Sequence, residues 1–364
     1  MKLLDACELI VDCPHSTAKD EGSGYPLIRT PNVGRGRLKL EGVHRVSYET
    51  YCARNERAVP QTDDLILARE APVGNVAIIK DGQQVCLGQR TVLIRPNKNI
   101  VEPDFLVYYL LSPEMQHVLL SSANGATVSH LNMADIRKLE IRLPDLEVQK
   151  KIGRLLSTIE DKIETNNEIN DNLLQQAQTI YRDMFITNAN PSWRIGQLSD
   201  LITVRYGKDH KKLAEGAYPV YGSGGVMRFV ERPLYDKESV LIPRKGTLNN
   251  VMYVNEPFWS VDTMFFTEMK LPNVAKFVFH FVKSIDLASL NAGSAVPSMT
   301  TDILNTMVLP IPDVDTLAKF ESVVAPMYQT MQQNTQESLK LAELRESLLP
   351  RVMTGELDVS KLDI

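Results

Sequence analysis

A helical pattern that occurs twice constrains this chain more than any other feature. From Ile152 onward, residues that suit a packed stripe recur at steps of four and three: Ile152, Leu156, Ile159, Ile163, Asn166, Asn170, Leu173, Ala177 and Ile180. The same stepping returns 168 positions later as Phe320, Val324, Met327, Met331, Asn334, Ser338, Leu341, Arg345 and Leu348. Alternating steps of four and three line up side chains on one face of a helix, the spacing of a coiled-coil seam. Leu143-Pro144-Asp145 stands before the first run, and Ile311-Pro312-Asp313 stands before the second at the same offset. A proline and an acid suit a helix start, and Glu147 adds a carboxylate to the first turn. The first helix is expected to reach about Phe185, roughly 60 Å at 1.5 Å per residue. Pro326 predicts a kink or break near the start of the second helix, and Pro350 and Gly355 its end. A chain of two halves, each closed by a long helix, measures or spaces something.

Between the helices the sequence changes character. Residues 1–145 carry short β-rich runs, Asp64–Leu67, Val76–Ile79 and Thr91–Ile94, punctuated by Gly and Pro. A helix is predicted over Pro103–Ser122. Residues 191–312 repeat the β-rich pattern, with strands expected at Val240–Ile242, Val251–Val254 and Met264–Thr267. Asn188-Ala-Asn-Pro-Ser192 reads as a turn. A weaker duplication runs through these segments. Leu65–Arg69 parallels Val240–Arg244, Asn75-Val76 parallels Asn250-Val251, and Gly125–Val128 parallels Gly293–Val296. The boundaries that follow are 1–145, 146–190, 191–312 and 313–364: two globular readers and two helices.

The 364 residues can bury two or three cores, and 43% hydrophobic with 23% charged content is ordinary for a soluble globular protein. No apolar run approaches a membrane span, and the N-terminus lacks a secretory pattern. The cysteines, Cys7, Cys13, Cys52 and Cys86, form no CxxC pair, so free thiols in a reducing cytoplasm are expected rather than a metal site. A net charge of −5 argues mildly against a simple nucleic-acid binder. That charge is divided as −1, −2, +2 and −4 over the four segments, so the acid sits on the helices and tail. The globular segments hold basic clusters: Arg29, Arg35, Arg37, Lys39 and Arg45 against Glu41, and Arg205, Lys208, Lys211 and Lys212 against Asp209. Such clusters serve either as solvated surface or as local phosphate contacts.

Motifs for chemistry are scarce. Gly222-Ser-Gly-Gly225 lacks the following Gly-Lys-Ser/Thr of a phosphate loop. It reads as a surface turn, or as a place where backbone approaches a ligand closely. The six histidines are scattered, and His130 and His280 read as fold residues. There is no Asn/Asp-Pro-Pro-aromatic tetrapeptide of adenine methyltransferases and no set of helicase motifs, so no catalysis is expected.

The run from Leu143 to Gln149 (Leu-Pro-Asp-Leu-Glu-Val-Gln), with Lys151-Ile152, Asp161-Lys-Ile163, Asn166, Leu173 and Ala177, resembles the central conserved region of type I restriction–modification specificity subunits. The run Leu344–Pro350 (Leu-Arg-Glu-Ser-Leu-Leu-Pro) with Gly355-Glu-Leu357 is similar to their distal conserved region. Leu67–Gly74 with Leu87–Arg90, and Tyr218–Gly225 with Arg244–Gly246, resemble two classes of target recognition domain. Asp315-Thr-Leu317 departs from Glu147-Val-Gln149, so the Gln of the first copy has no counterpart in the second.

The resemblance implies an α+β fold. Two β-rich target recognition domains are separated by two long helices that form an antiparallel coiled coil with a pseudo-two-fold axis. It implies a non-catalytic subunit that reads a bipartite site on double-stranded DNA. Two methyltransferase subunits would dock on it, and restriction/translocase subunits would join in phage defence. The chain itself would hold no cofactor, and S-adenosylmethionine, ATP and Mg would serve the partners. Candidate DNA contacts are Arg35, Arg37, Lys39, Arg69, Gln89 and Arg90 in the first half and Ser223, Arg244, Lys245, Asn249 and Asn250 in the second, each a base reader, a phosphate contact or a fold residue. The alternative is a coiled-coil scaffold without DNA readout. The seam also predicts a register: with an axis near positions 168 and 336, Asn170 faces Asn334 and Asn166 faces Ser338.

Overall fold

A computed structural model describes residues 1–123, 130–290 and 298–359. The repeat of Gly125–Val128 in Gly293–Val296 lies outside these residues. The chain forms two compact units, and their boundary cuts through both long helices: Met1–Asn167 with Thr335–Ile364, and Glu168–Asn334. Each unit therefore combines one β-rich segment with one stretch of each helix.

In the first unit the strands are β1 (Cys7–Asp12), β2 (Tyr25–Ile28), β3 (Gly36–Arg37), β4 (Arg45–Val46), β5 (Leu65–Ala68), β6 (Val76–Ile78), β7 (Cys86–Leu87) and β8 (Thr91–Pro96). Helices α1 (Tyr48–Arg54), α2 (Pro103–Leu111), α3 (Pro113–Ser121) and α4 (Met133–Lys138) accompany them. A five-stranded sheet runs β1-β8-β5-β6-β3, and a three-stranded sheet runs β4-β2-β7. Strand β5 is buried along its whole length because its two faces feed two cores. Leu65 and Leu67 pack with Phe105, Leu106, Ile152, Leu156, Leu349 and Val352. Ile66 and Ala68 pack with Ile28, Val33 and Leu93. A strand covered on both sides reads as a continuous apolar run, not as an alternation.

The second unit repeats this plan. Its strands are β9 (Arg194–Gln197), β10 (Ile202–Tyr206), β11 (Tyr218–Gly222), β12 (Gly225–Val230), β13 (Ser239–Pro243), β14 (Met252–Val254), β15 (Trp259–Ser260), β16 (Met264–Met269) and β17 (Val308–Ile311). Short helix α6 (Leu198–Leu201), then α7 (Ala275–Lys283) and α8 (Thr301–Asn305), complete it. The order β10-β16-β13-β14 matches β1-β8-β5-β6, and β12-β11-β15 matches β4-β2-β7. In both three-stranded sheets the middle strand is antiparallel to one neighbour and parallel to the other.

The long helices are α5 (Leu146–Arg182), continued by a π-helical turn (Asp183–Thr187), and α9 (Val314–Met353). They pair antiparallel within each unit. In the first, Glu160 meets Arg345 and Asn166 Nδ2 donates to Ser338 Oγ at 3.3 Å. In the second, Asn334 Nδ2 donates to Asn170 Oδ1 at 2.9 Å, while the rings of Tyr181 and Phe320 stand 6.3 Å apart. The expected register is therefore present. Every seam residue is buried or half-buried, including Ile163, Leu173, Met331, Leu341 and Leu348. Gly153 lets α2 approach α5, for a Cβ there would lie 2.8 Å from the backbone nitrogen of Phe105.

Two predicted elements differ. The expected helix over 103–122 is two helices, because Pro113 has no N–H to donate and disfavours helical backbone at Ser112. Ser112 is extended, and its hydroxyl caps α3 by accepting from Met115 N at 3.4 Å. Conversely, α9 runs without a break through Pro326, twelve residues into a helix whose buried face (Leu317, Phe320, Val324, Tyr328) spans that point. Pro350 lies inside the last turn, and the chain leaves the helix at Gly355, where φ is +76°.

Candidate nucleic-acid interface

In the first unit, four loop-to-sheet hydrogen bonds fix the surface that carries the basic candidates. Gly88 N donates to Ile28 O at 2.8 Å, joining the turn before β8 to the end of β2. Arg69 N donates to Arg90 O at 2.8 Å, and Leu131 N donates to Arg69 O at 3.1 Å. Asn75 Nδ2 donates to Val33 O at 2.9 Å. At this junction a cavity of about 200 Å³ opens, lined in part by Thr17, Leu27, Arg29, Thr30, Gly88 and Arg90. Arg29 is half-buried, and its Nε is buried with no hydrogen-bond acceptor among the described residues. Gln89 is engaged already: Nε2 donates to His15 O at 2.7 Å and Oε1 accepts from Thr17 Oγ1 at 3.1 Å. Arg90 takes a left-handed φ of +66° and pairs through Nε with Glu70 at 2.9 Å, while 58% of its side chain stays exposed.

The second unit builds the same frame with other side chains. Val261 N donates to Tyr221 O at 3.1 Å, Arg244 N to Thr263 O at 2.9 Å, and Met299 N to Arg244 O at 2.9 Å. Asn250 Nδ2 donates to Ser223 O at 2.8 Å. The three backbone bonds match those of the first unit along the aligned strands, and Asn250 donates as Asn75 does, though its acceptor Ser223 lies in the tight turn and Val33 lies further along a longer connection. Ser223 and Gly224 form the two-residue turn of the β11–β12 hairpin, so the glycine-rich run is a hairpin. A Cβ on Gly222 would come 2.5 Å from Met227 Sδ, so a larger residue there would displace Met227. Arg244 Nη1 donates to Asp262 O at 3.0 Å, and its guanidinium lies 5.4 Å above the centre of the exposed Tyr206 ring. Lys208, Lys211, Lys212 and Lys245 are exposed, and Arg205 is paired with Glu268 at 3.0 Å.

The candidates thus separate. Arg35, Lys39, Arg90 and Lys245 are exposed, with Gln89, Ser223 and Arg244 half-buried at the same loops. Arg37 lies elsewhere. Its side chain is 6% exposed, and it bridges to Asp161 at 2.5 Å and Glu164 at 3.2 Å on α5. A guanidinium held by two carboxylates fastens the sheet edge to the helix. Arg69 gives Nε to Leu131 O at 2.7 Å, and Asn249 bridges Asp286 and the backbone of Ala288. Asn250 pins the hairpin, as noted. These four act as frame residues in this structure. Sequence reading passed over Arg29 as a specific contact, although it stands in the first basic cluster. The signal was available only by matching strand ends: Ile28 aligns with Tyr221, so Arg29 stands where the second unit has Gly222.

No group of His, Cys, Asp and Glu capable of holding a metal occurs among the described residues. The four cysteines are free thiols, and burial pushes Cys86 up to about 11. His280 is a fold residue: Tyr328 Oη lies 2.9 Å from Nε2 and Gln178 Oε1 lies 2.7 Å from Nδ1, so both ring nitrogens are engaged within the core. No helix among the described residues is long and apolar enough to cross a membrane.

Comparison with known proteins agrees with this architecture. The family model described as the type I restriction modification DNA specificity domain matches residues 2–175 and again 190–337. The type I restriction enzyme MjaIX specificity subunit of Methanocaldococcus jannaschii is 22% identical over 342 residues, covering 82% of this chain and 78% of that protein. The EcoBI specificity subunit of Escherichia coli is 26% identical over 190 residues, covering 50% and 39%. Among solved structures, the type I restriction–modification S subunit of M. genitalium superposes with a TM-score of 0.61 at 17% identity, covering 97% of this chain and 95% of that one.

Proposed function

Because the chain belongs to the type I restriction–modification DNA specificity family, and so is a non-catalytic subunit that confers DNA sequence specificity, we propose that each unit reads one part of a bipartite double-stranded target. The observation that carries this reading is the shared frame with different surface side chains. Three equivalent backbone hydrogen bonds, with Asn75 and Asn250 as equivalent side-chain donors, hold the loops at the ends of matching strands in both units. What those loops present differs: Arg29, Gln89 and Arg90 in one, Gly222, Asp262 and Thr263 in the other. Phosphate contacts position a reader, and base contacts specify its sequence. A constant frame with variable side chains suits two readers of different sequence.

In this reading the helices set the gap between the two parts of the site. Two methyltransferase subunits dock on the chain and bring S-adenosylmethionine to an adenine in each part. Restriction/translocase subunits using ATP and Mg join them in the cytoplasm. This chain holds no cofactor of its own. With a net charge of −5 the isolated chain has little long-range attraction for DNA, so tight binding requires the methyltransferase partners. The test is a domain exchange. The complex with its modification subunits is expressed, and the methylated motif is mapped by sequencing. Residues 1–140 are then replaced by those of a relative. One part of the motif should change while the other stays. A change in both parts, or no split motif at all, would defeat the proposal.

A further inference from the structure

We infer that Arg29 reads a guanine in the part of the target contacted by the first unit; this rests on the specificity reading above and assigns it to one side chain. Three observations converge on Arg29. First, it is uncommitted. Among the described residues no carboxylate lies within ion-pair distance of it, and its buried Nε has no acceptor. Its neighbours are spoken for: Gln89 by His15 and Thr17, Arg90 by Glu70. The nearby acid Asp20 is held below the usual carboxylate range by the backbone N–H groups of Arg45 and Gly22, with Arg29 contributing only through its field. An unpaired guanidinium needs an acceptor with two adjacent lone-pair sites, which a guanine edge supplies through O6 and N7 and a phosphate through two oxygens.

Second, Arg29 has room. A cavity of about 200 Å³ opens beside it, with Arg29 itself in the lining. Gly88 leaves space at the arginine's stem, since a Cβ there would come 2.7 Å from Ile28 O and 2.8 Å from Arg29 Cγ. Third, the position separates the two acceptors. Phosphates recur identically along any duplex, so a phosphate-holding side chain suits both units. Base edges differ between the two parts of a split site. Arg29 aligns with Gly222, which has no side chain, while the bonds framing the two positions are kept. Loss of the cation at a retained position fits a base contact.

The experiment uses the intact complex of this chain with its modification subunits. Its probes are a duplex carrying the mapped methylation motif and a set of single base-pair replacements, titrated at three salt concentrations. For Arg29→Ala, discrimination should fall roughly 5- to 150-fold at one G·C position of the first part. It should be unchanged at every position of the second part, with the salt slope preserved. Arg29→Lys keeps the charge but not the planar fork, so it should lose most of the same discrimination. Uniform weakening at all positions, with a salt slope smaller by about one, would identify a phosphate contact and overturn the inference. So would unchanged discrimination. Retained discrimination in the second part shows in the same titration that the variant is folded and assembled; if Arg29→Ala loses it, Arg29→Lys alone decides. Failure of the unmodified complex to prefer its own motif would instead defeat the specificity reading.

Discussion

At the scale of single residues, the same amino acid stands in opposite settings, and the carboxylates around it decide which. Arg29 and Arg37 stand eight positions apart in one basic cluster, yet one is uncommitted and the other is locked between Asp161 and Glu164. Removing the Arg37 side chain leaves two neighbouring carboxylates without their cation. Both are half-exposed, so water offsets part of the loss. Arg37→Met is expected to destabilise the first unit by about 2 kcal/mol, read as a lower denaturant midpoint, with base discrimination intact. A shift in the methylated motif instead would make Arg37 a reader. His280 gives the pH-dependent counterpart. Burial, reinforced by Lys283, lowers its pKa from 6.5 to about 4. The folded chain therefore refuses a proton that the unfolded chain accepts. Stability from this group is present above about pH 6.5 and is lost as pH falls towards 4, by up to about 3 kcal/mol. Thermal melts between pH 7 and 4.5 should show the second unit weakening, and His280→Gln should flatten that dependence. An unchanged slope in the variant would place the acid sensitivity in other groups.

At the scale of elements, the long helices were the most legible part of the sequence, because a seam of fixed step needs no knowledge of the rest of the fold. Their pairing register followed from the 168-residue repeat, and Asn170 meets Asn334 as that repeat requires. Proline was read less well. Pro113 divides a helix that composition alone made continuous, whereas Pro326 interrupts nothing. The difference lies in tertiary packing: Val324 and Tyr328 hold α9 in its core on both sides of Pro326, while Ser112 has a capping alternative. The asparagine pair sits with Asn166 and Ser338 at the polar middle of a mostly apolar seam, where polar contacts cost stability but fix register. Cysteines at Asn170 and Asn334 should crosslink within one chain under mild oxidation, and cysteines at Asn166 and Asn334 should not. Mobility on denaturing gels with and without reductant distinguishes the two pairs. Efficient crosslinking of the second pair would mean that the helices slide.

At the scale of the whole molecule, the candidate interface was only partly legible. Among the candidate contacts, Arg69, Asn249 and Asn250 hold the frame by hydrogen bonds that link residues up to 62 positions apart. Such bonds leave no local pattern, and only the alignment of one unit on the other exposes them. The same duplication yields a prediction about length. The unit boundary crosses α5 between Asn167 and Glu168, and α9 between Asn334 and Thr335. Seven residues inserted at both points preserve the seam on each side, since a heptad is two turns of it. They add roughly 10 Å of helix at 1.5 Å per residue. If the helices space the readers along the duplex, the gap in the target should lengthen by about three base pairs at roughly 3.4 Å each, while both recognised parts keep their sequence. A methylation map of cells carrying the lengthened chain measures all three quantities at once. A gap of unchanged length, with methylation retained, would mean that the distance between the readers is set by the docked partners and not by these helices.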